Sequence, residues 1–77
     1  MDFCKRKIKP GQLRLLDNDF LNCFFPANSN NTTSIEKGSI ILVITTPDVH
    51  GWMLALTTFG VVETLEIEVA ICSNVIL

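Results

Sequence analysis

The strongest constraint on the fold is a run of β-branched residues that follows Gly38. Six of the eight residues from 39 to 46 branch at Cβ, namely Ile40, Ile41, Val43, Ile44, Thr45 and Thr46. Branching at Cβ stiffens χ1 and suits a pleated strand better than a helix. Apolar side chains fall on both faces of this segment. It therefore predicts a strand that is central in its sheet or covered on both sides.

A β-hairpin is predicted over residues 52–71. In its first arm Trp52, Leu54 and Leu56 alternate with Met53 and Ala55, and Gly60 closes the turn. From residue 61 to residue 71 the pattern again repeats every second position, which indicates a strand rather than a helix. The second arm would then point Glu66 and Glu68 outward. Residues 75–77 predict one last short strand.

The N-terminal half gives weaker signals. Residues 12–16 predict a short strand with Leu13 and Leu15 on one face and Arg14 on the polar face. The apolar segment 20–25 is too short for its periodicity to decide between a strand and a single helical turn. The Asn/Thr-rich residues 27–35 predict a mobile polar loop.

The order of these segments resembles a known family. The series comprises KPGQL (residues 9–13), a polar loop, KGSIILV (37–43), GWML (51–54), FGVVETL (59–65) and VIL (75–77). It resembles the short SH3-like barrels often encoded by bacteriophages, with a long first loop and a central hairpin that carries a Trp. The resemblance implies an all-β fold, a small, five-stranded, antiparallel and partly open SH3-like barrel. It also implies a virus-encoded accessory protein.

Length and composition bound the rest. The 77 residues predict one domain over residues 1–77, and 48% of them are hydrophobic, more than one small core hides. Residues 1–9 form a basic N-terminal arm, whereas no Lys or Arg follows Lys37. Three cysteines indicate reduced thiols and a cytoplasmic location, in the host cytoplasm if the protein is viral. No secretory signal and no membrane span are expected.

Catalytic chemistry is not indicated. The single histidine, His50, falls in a predicted turn, and no nucleophile motif, phosphate-binding loop or dinucleotide fingerprint occurs. Cys4, Cys23, Cys72 and His50 do not have the spacing of a zinc site. We therefore expect no enzyme activity, no metal and no cofactor.

Two binding functions remain. The first is a protein-binding or assembly module, with a partner protein or a second copy contacting Phe20, Phe24, Phe25 and Trp52. In the alternative interpretation the aromatic side chains of the loop only cover the open end of the barrel. The second function is nucleic-acid binding, in which the arm residues Lys5, Arg6, Lys7 and Lys9 meet phosphates and the aromatic side chains stack on bases.

Overall fold

A computed structural model describes residues 8–26 and 28–77, with the backbone alone for residues 28–30. Within them lie seven β-strands and one α-helix. In chain order these are β1 (Leu13–Leu15), β2 (Leu21–Phe25), β3 (Asn28–Ile35), β4 (Ile40–Val43), β5 (Trp52–Thr57), β6 (Gly60–Leu65), α1 (Glu66–Cys72) and β7 (Asn74–Val75).

All seven strands belong to one sheet, in the order β3-β2-β6-β5-β4-β1-β7. Every neighbouring pair is antiparallel. The predicted all-β class is confirmed. The predicted five-stranded barrel is wrong, because the sheet has seven strands and is open, with β3 and β7 at its ends.

The two additional strands come from the segment predicted as a long first loop. Residues 21–25 form a strand and not a helical turn, and residues 28–35 pair with them as β3. Buried Leu21 lies opposite buried Ile35, which fixes the register on the core side. On the other face the Ser34 hydroxyl donates to Oδ1 of Asn22 at 3.0 Å. Polar side chains can therefore occupy this edge strand, because its pairing uses the backbone.

The second arm of the predicted hairpin is wrong beyond Leu65. The chain turns into α1 there, and the helix buries Val69 and Cys72. Leu65, Val69 and Cys72 are spaced four and three residues apart, which is helical spacing. The acidic residues Glu66 and Glu68 lie in the first turn, where the helix dipole favours them. Ile67 and Ile71, which had predicted a strand by their two-residue alternation, are about half exposed on the helix.

The core lies on one face of the sheet. The strands contribute Leu21, Cys23, Ile35, Ile41, Val43, Met53, Ala55 and Val62, all at most 1% exposed. Ile8, Leu16 and the two buried residues of α1 complete the same cluster. Ile8 was predicted to lie in the basic arm, but it is 2% exposed. The basic arm therefore reaches the core at its eighth residue.

Side chains alternate along β1 as predicted, but the face predicted to be polar is the one that is buried. Arg14 is 3% exposed, whereas Leu13 and Leu15 are only half-buried. The guanidinium donates from Nε to the Ser73 hydroxyl at 2.8 Å, from Nη2 to the Ser73 carbonyl at 3.0 Å and from Nη1 to Oε1 of Gln12 at 3.2 Å. Burial lowers the pKa of Arg14, and nearby Asp17 opposes that shift. Arg14 is thus a structural clamp between β1 and the residue that follows α1.

Candidate functional site

The sheet face opposite the core is also apolar. Four residues stand directly opposite one another across β1, β4, β5 and β6, and we call them the apolar row: Leu13, Leu42, Leu56 and Val61. Leu56 is 44% exposed and Val61 is 40% exposed. Antiparallel sheets with one solvated face normally carry polar residues there. An apolar face of this kind indicates a contact surface.

A pocket lies on the same sheet, toward β2 and α1. Its walls include Phe24 of β2, Thr32 of β3, Trp52 of β5, Leu65 of β6 and Glu68 of α1. We call it the aromatic pocket, and Asn22, Cys23 and Thr64 complete its lining. Its volume is about 360 Å³. That is at the small end of the range for ligand sites, which suits one or two side chains better than a large substrate.

Two aromatic rings form a corner of the pocket. The ring centroids of Phe24 and Trp52 are 5.8 Å apart and the planes cross at 74°. This edge-to-face geometry is favourable for aromatic pairs, so the two rings support each other. In the sheet Trp52 stands opposite Leu65, and Phe24 stands opposite Glu63.

The turn before β5 positions Trp52. Oδ1 of Asp48 accepts hydrogen bonds from the backbone amides of His50 at 2.8 Å and of Trp52 at 3.0 Å. These bonds lower the pKa of Asp48, the Trp52 amide contributing most. Gly51 takes a φ of 86°, a region that side chains disfavour. His50 itself is exposed, as its place in the turn predicted.

The pocket is acidic. Among the described lining residues Glu68 alone carries a formal charge, and Glu63 lies next to Phe24 on the same face. In the described part of the chain seven acidic residues stand against three basic ones, Lys9, Arg14 and Lys37. None of these three lines the pocket. The Glu68 carboxylate therefore favours a ligand group with positive charge.

Cys23 lies at the back of the pocket and is fully buried. Burial raises its pKa to about 11; a hydrogen bond with Thr64 lowers the pKa, whereas the Glu68 charge raises it further. The pKa of Cys72, also buried as a free thiol, is raised mainly by burial too. High pKa values keep thiols protonated and poorly nucleophilic at neutral pH. These two cysteines are packing residues.

The structure separates the aromatic residues that the sequence analysis grouped. Phe24 and Trp52 meet in the pocket, whereas Phe25 is half-buried and packs against the core cluster. Phe20 lies before β2, 50% exposed, and its carbonyl accepts a hydrogen bond from the Cys72 thiol. Lys9 is exposed, and Lys5, Arg6 and Lys7 lie outside the described residues.

Sequence reasoning missed Glu68, Leu65 and the apolar row as parts of one surface. The available signals were the apolar residues on both faces of 39–46 and the helical spacing after residue 65. Neither shows which strands are neighbours. That information lies in the sheet order, which brings β2 next to β6.

Within residues 8–26 and 28–77, no three His, Cys, Asp or Glu side chains come together as metal ligands. In the same part of the chain the helix α1 has seven residues, and no helix is long and apolar enough to cross a membrane. No protein-family model, no curated protein and no solved structure matches this chain. The aromatic pocket and the apolar row are therefore the candidate functional site.

Proposed function

We propose that this chain is a non-catalytic protein-binding module whose contact surface is the aromatic pocket together with the apolar row. The observation that carries the proposal is the apolar outer face of β1, β4, β5 and β6, with Leu56 and Val61 at 44% and 40% exposure. Interfaces are rich in aromatic and aliphatic side chains at their centres. We further propose an accessory protein, phage-encoded, that binds a host factor or a virion component in the cytoplasm; this part of the proposal comes from the order of sequence segments alone, since the sheet is open and not a barrel.

The pocket supports recognition of an extended segment of the partner. Trp52 and Phe24 offer the rigid aromatic surface that commonly supplies most of the binding free energy. Glu68 adds a carboxylate beside those rings. A segment that places a basic or long apolar side chain in the pocket would satisfy both features. The apolar row would then cover neighbouring apolar residues of the same partner.

The test is selection from a random peptide library displayed against the folded full-length chain. The proposal expects enriched peptides with a basic residue near apolar ones. Their affinity should fall at least tenfold in W52A and in E68Q. Glu68 is partly exposed on α1, so E68Q tests the pocket even if W52A folds poorly.

The matched control is Phe59→Ala. Phe59 is an aromatic residue, 58% exposed, in the turn between β5 and β6; it lies next to the apolar row but outside the pocket lining, so it is a control for the pocket alone. F59A should lose much less affinity for the selected peptides than E68Q. Failure to enrich any peptide, or equal losses in F59A and E68Q, would overturn the proposed function. Binding of mixed-sequence single-stranded DNA that fades with salt, in place of peptides, would do so as well.

A further inference from the structure

We propose that the aromatic pocket binds a methylated ammonium group, carried on a methylated lysine side chain of the partner. This inference rests on the proposed function, because it names the chemical class that the same site recognises. Methylation of a lysine keeps the positive charge but replaces N–H donors with apolar methyl groups. The ligand is therefore cationic and apolar at once, and the pocket has a feature that matches each property.

The two aromatic rings match the methyl groups and the charge together. Phe24 and Trp52 line the pocket with their planes at 74° and their centroids 5.8 Å apart, so they give it two nearly perpendicular walls. The face of an aromatic ring attracts a cation, and clustered rings bind methylated ammonium groups through this attraction. Leu65, opposite Trp52 in the sheet, adds an apolar wall that suits the aliphatic part of a lysine side chain.

Glu68 supplies the negative charge. It is the one residue with a formal charge among the described lining residues. Its carboxylate lies near enough to the back of the pocket to raise the pKa of the Cys23 thiol there. Glu68 is only partly exposed, so salt screens its charge less than it would at an open surface. A neutral apolar group of the same shape would gain nothing from this carboxylate.

The other oxygens of the lining favour a methylated ammonium group over an unmodified one. An unmodified lysine head has three N–H donors and is strongly hydrated, so it needs several acceptors when it leaves water. Both oxygens of Asn22 in the lining already accept hydrogen bonds. Its Oδ1 accepts from the Ser34 hydroxyl at 3.0 Å, and its carbonyl accepts from the Thr64 hydroxyl at 3.0 Å. A trimethylated head has no N–H to satisfy, so its desolvation costs less.

The experiment titrates the isotope-labelled full-length chain with three lysine derivatives, each acetylated on the α-amine and amidated at the carboxyl end. The side chains end in a free ammonium group, in a trimethylammonium group, or in a neutral tert-butyl group of the same shape. The indole N–H signal of Trp52, the single tryptophan of the chain, reports binding. The trimethylammonium derivative should bind about fivefold more tightly than either of the others, which is the gain expected from a partly exposed cation–aromatic contact.

Two variants separate the contributions of the charge and the ring. E68Q should weaken binding of the trimethylammonium derivative about threefold and leave the neutral derivative unchanged, a difference that misfolding would not produce. F24L keeps apolar surface but removes one ring, and it should weaken the trimethylammonium derivative about threefold as well. The matched control F59L makes the same change outside the pocket lining, in the turn between β5 and β6, and should bind all three derivatives like the unaltered chain.

Equal affinities for the three derivatives, or tightest binding of the neutral one, would overturn the inference. Choline that binds about tenfold more tightly than the trimethylammonium derivative would also overturn it, in favour of a small free quaternary ammonium compound. The proposed function is tested separately, because the peptide library displays unmodified side chains. Peptides that enrich and lose affinity in E68Q uphold that function even if the three derivatives bind alike. Preference for the trimethylammonium derivative without any enriched peptide supports the ligand class and refutes the proposed peptide recognition alone.

Discussion

Replacing Arg14 with alanine should destabilise the fold by about 3 kcal/mol. The change removes the guanidinium that bonds the Ser73 hydroxyl at 2.8 Å and the Ser73 carbonyl at 3.0 Å. Hydrogen bonds from a charged donor each contribute about 1.5–3 kcal/mol, and Ser73, 2% exposed, would lose these partners. Part of the loss is offset, because the buried charge no longer has to be desolvated.

The loss is large for a domain of this size. A chain of 77 residues has a total stability of about 4–11 kcal/mol. Arg14 also holds the residue after α1 to β1, and α1 carries Glu68. Losing the Arg14–Ser73 hydrogen bonds should therefore disturb the position of Glu68 in the pocket as well as lower the stability of the fold. R14A should bind the selected peptides more weakly even under conditions in which it remains folded.

The assay is urea unfolding monitored by Trp52 fluorescence. The dependence of the free energy of unfolding on urea concentration is compared between variants. R14M keeps an apolar side chain of similar length in place, so it should lower the free energy of unfolding less than R14A does. K37A, at an exposed lysine, should change the free energy of unfolding by less than about 0.5 kcal/mol. A double-mutant cycle with S73A should give a coupling of about 1–2 kcal/mol. A loss below about 1 kcal/mol in R14A, or no coupling to Ser73, would refute the reasoning.

Three further predictions concern the groups around the site. Because burial raises the pKa of Cys23 from 9.0 to about 11, the unfolded chain ionises first. The contribution of Cys23 to the free energy of unfolding should therefore be constant below pH 9 and decrease between pH 9 and pH 11, and C23A should remove that part of the decrease in urea titrations. The pKa of Asp48 is lowered by the Trp52 and His50 amides, so the turn should keep its order as pH falls until Asp48 protonates below its usual range. D48A should then shift Trp52 emission at neutral pH to resemble the acid form, and an unchanged spectrum would contradict this role. Finally, L56S/V61T should lower the binding of a dye that reports exposed apolar surface. The double variant should lose less than about 1 kcal/mol of stability per site, because both side chains are already 40% or more exposed. Unaltered dye binding would show that the apolar row is not the dye's site.

Much of the strand structure could be predicted from the sequence. β-branching predicted β4, and alternation with Gly60 at the turn predicted β5 and the first half of the next arm. Local preferences decide the secondary structure of such segments, because β-branched and aromatic side chains fit a pleated strand surface. The predicted strand at 12–16 was also found, as β1.

What the sequence could not predict depends on contacts between distant residues. Nothing local in the polar segment 28–35 predicts a strand, because its pairing is decided by β2 across the turn. Alternation through Ile71 favoured a strand, yet burial of Val69 and Cys72 against the core selects a helix. The facing of β1 reversed because Ser73, 59 residues away, supplies the partners that make a buried arginine tolerable.

The candidate site was predictable only in part. Phe24 and Trp52 were singled out for their aromatic surface, and the sheet order brings them within 5.8 Å. Glu68 was assigned to an outward strand face, whereas α1 places it in the pocket wall. The acidic character of the pocket could therefore not be derived from the sequence pattern.

The most direct test of the binding surface is an NMR titration of the isotope-labelled full-length chain with a selected peptide. The account predicts that chemical-shift changes concentrate at Phe24, Trp52, Leu65 and Glu68 and extend to Leu56 and Val61. A titration in which Phe24, Trp52, Leu65 and Glu68 show no shift changes while other residues do would contradict it.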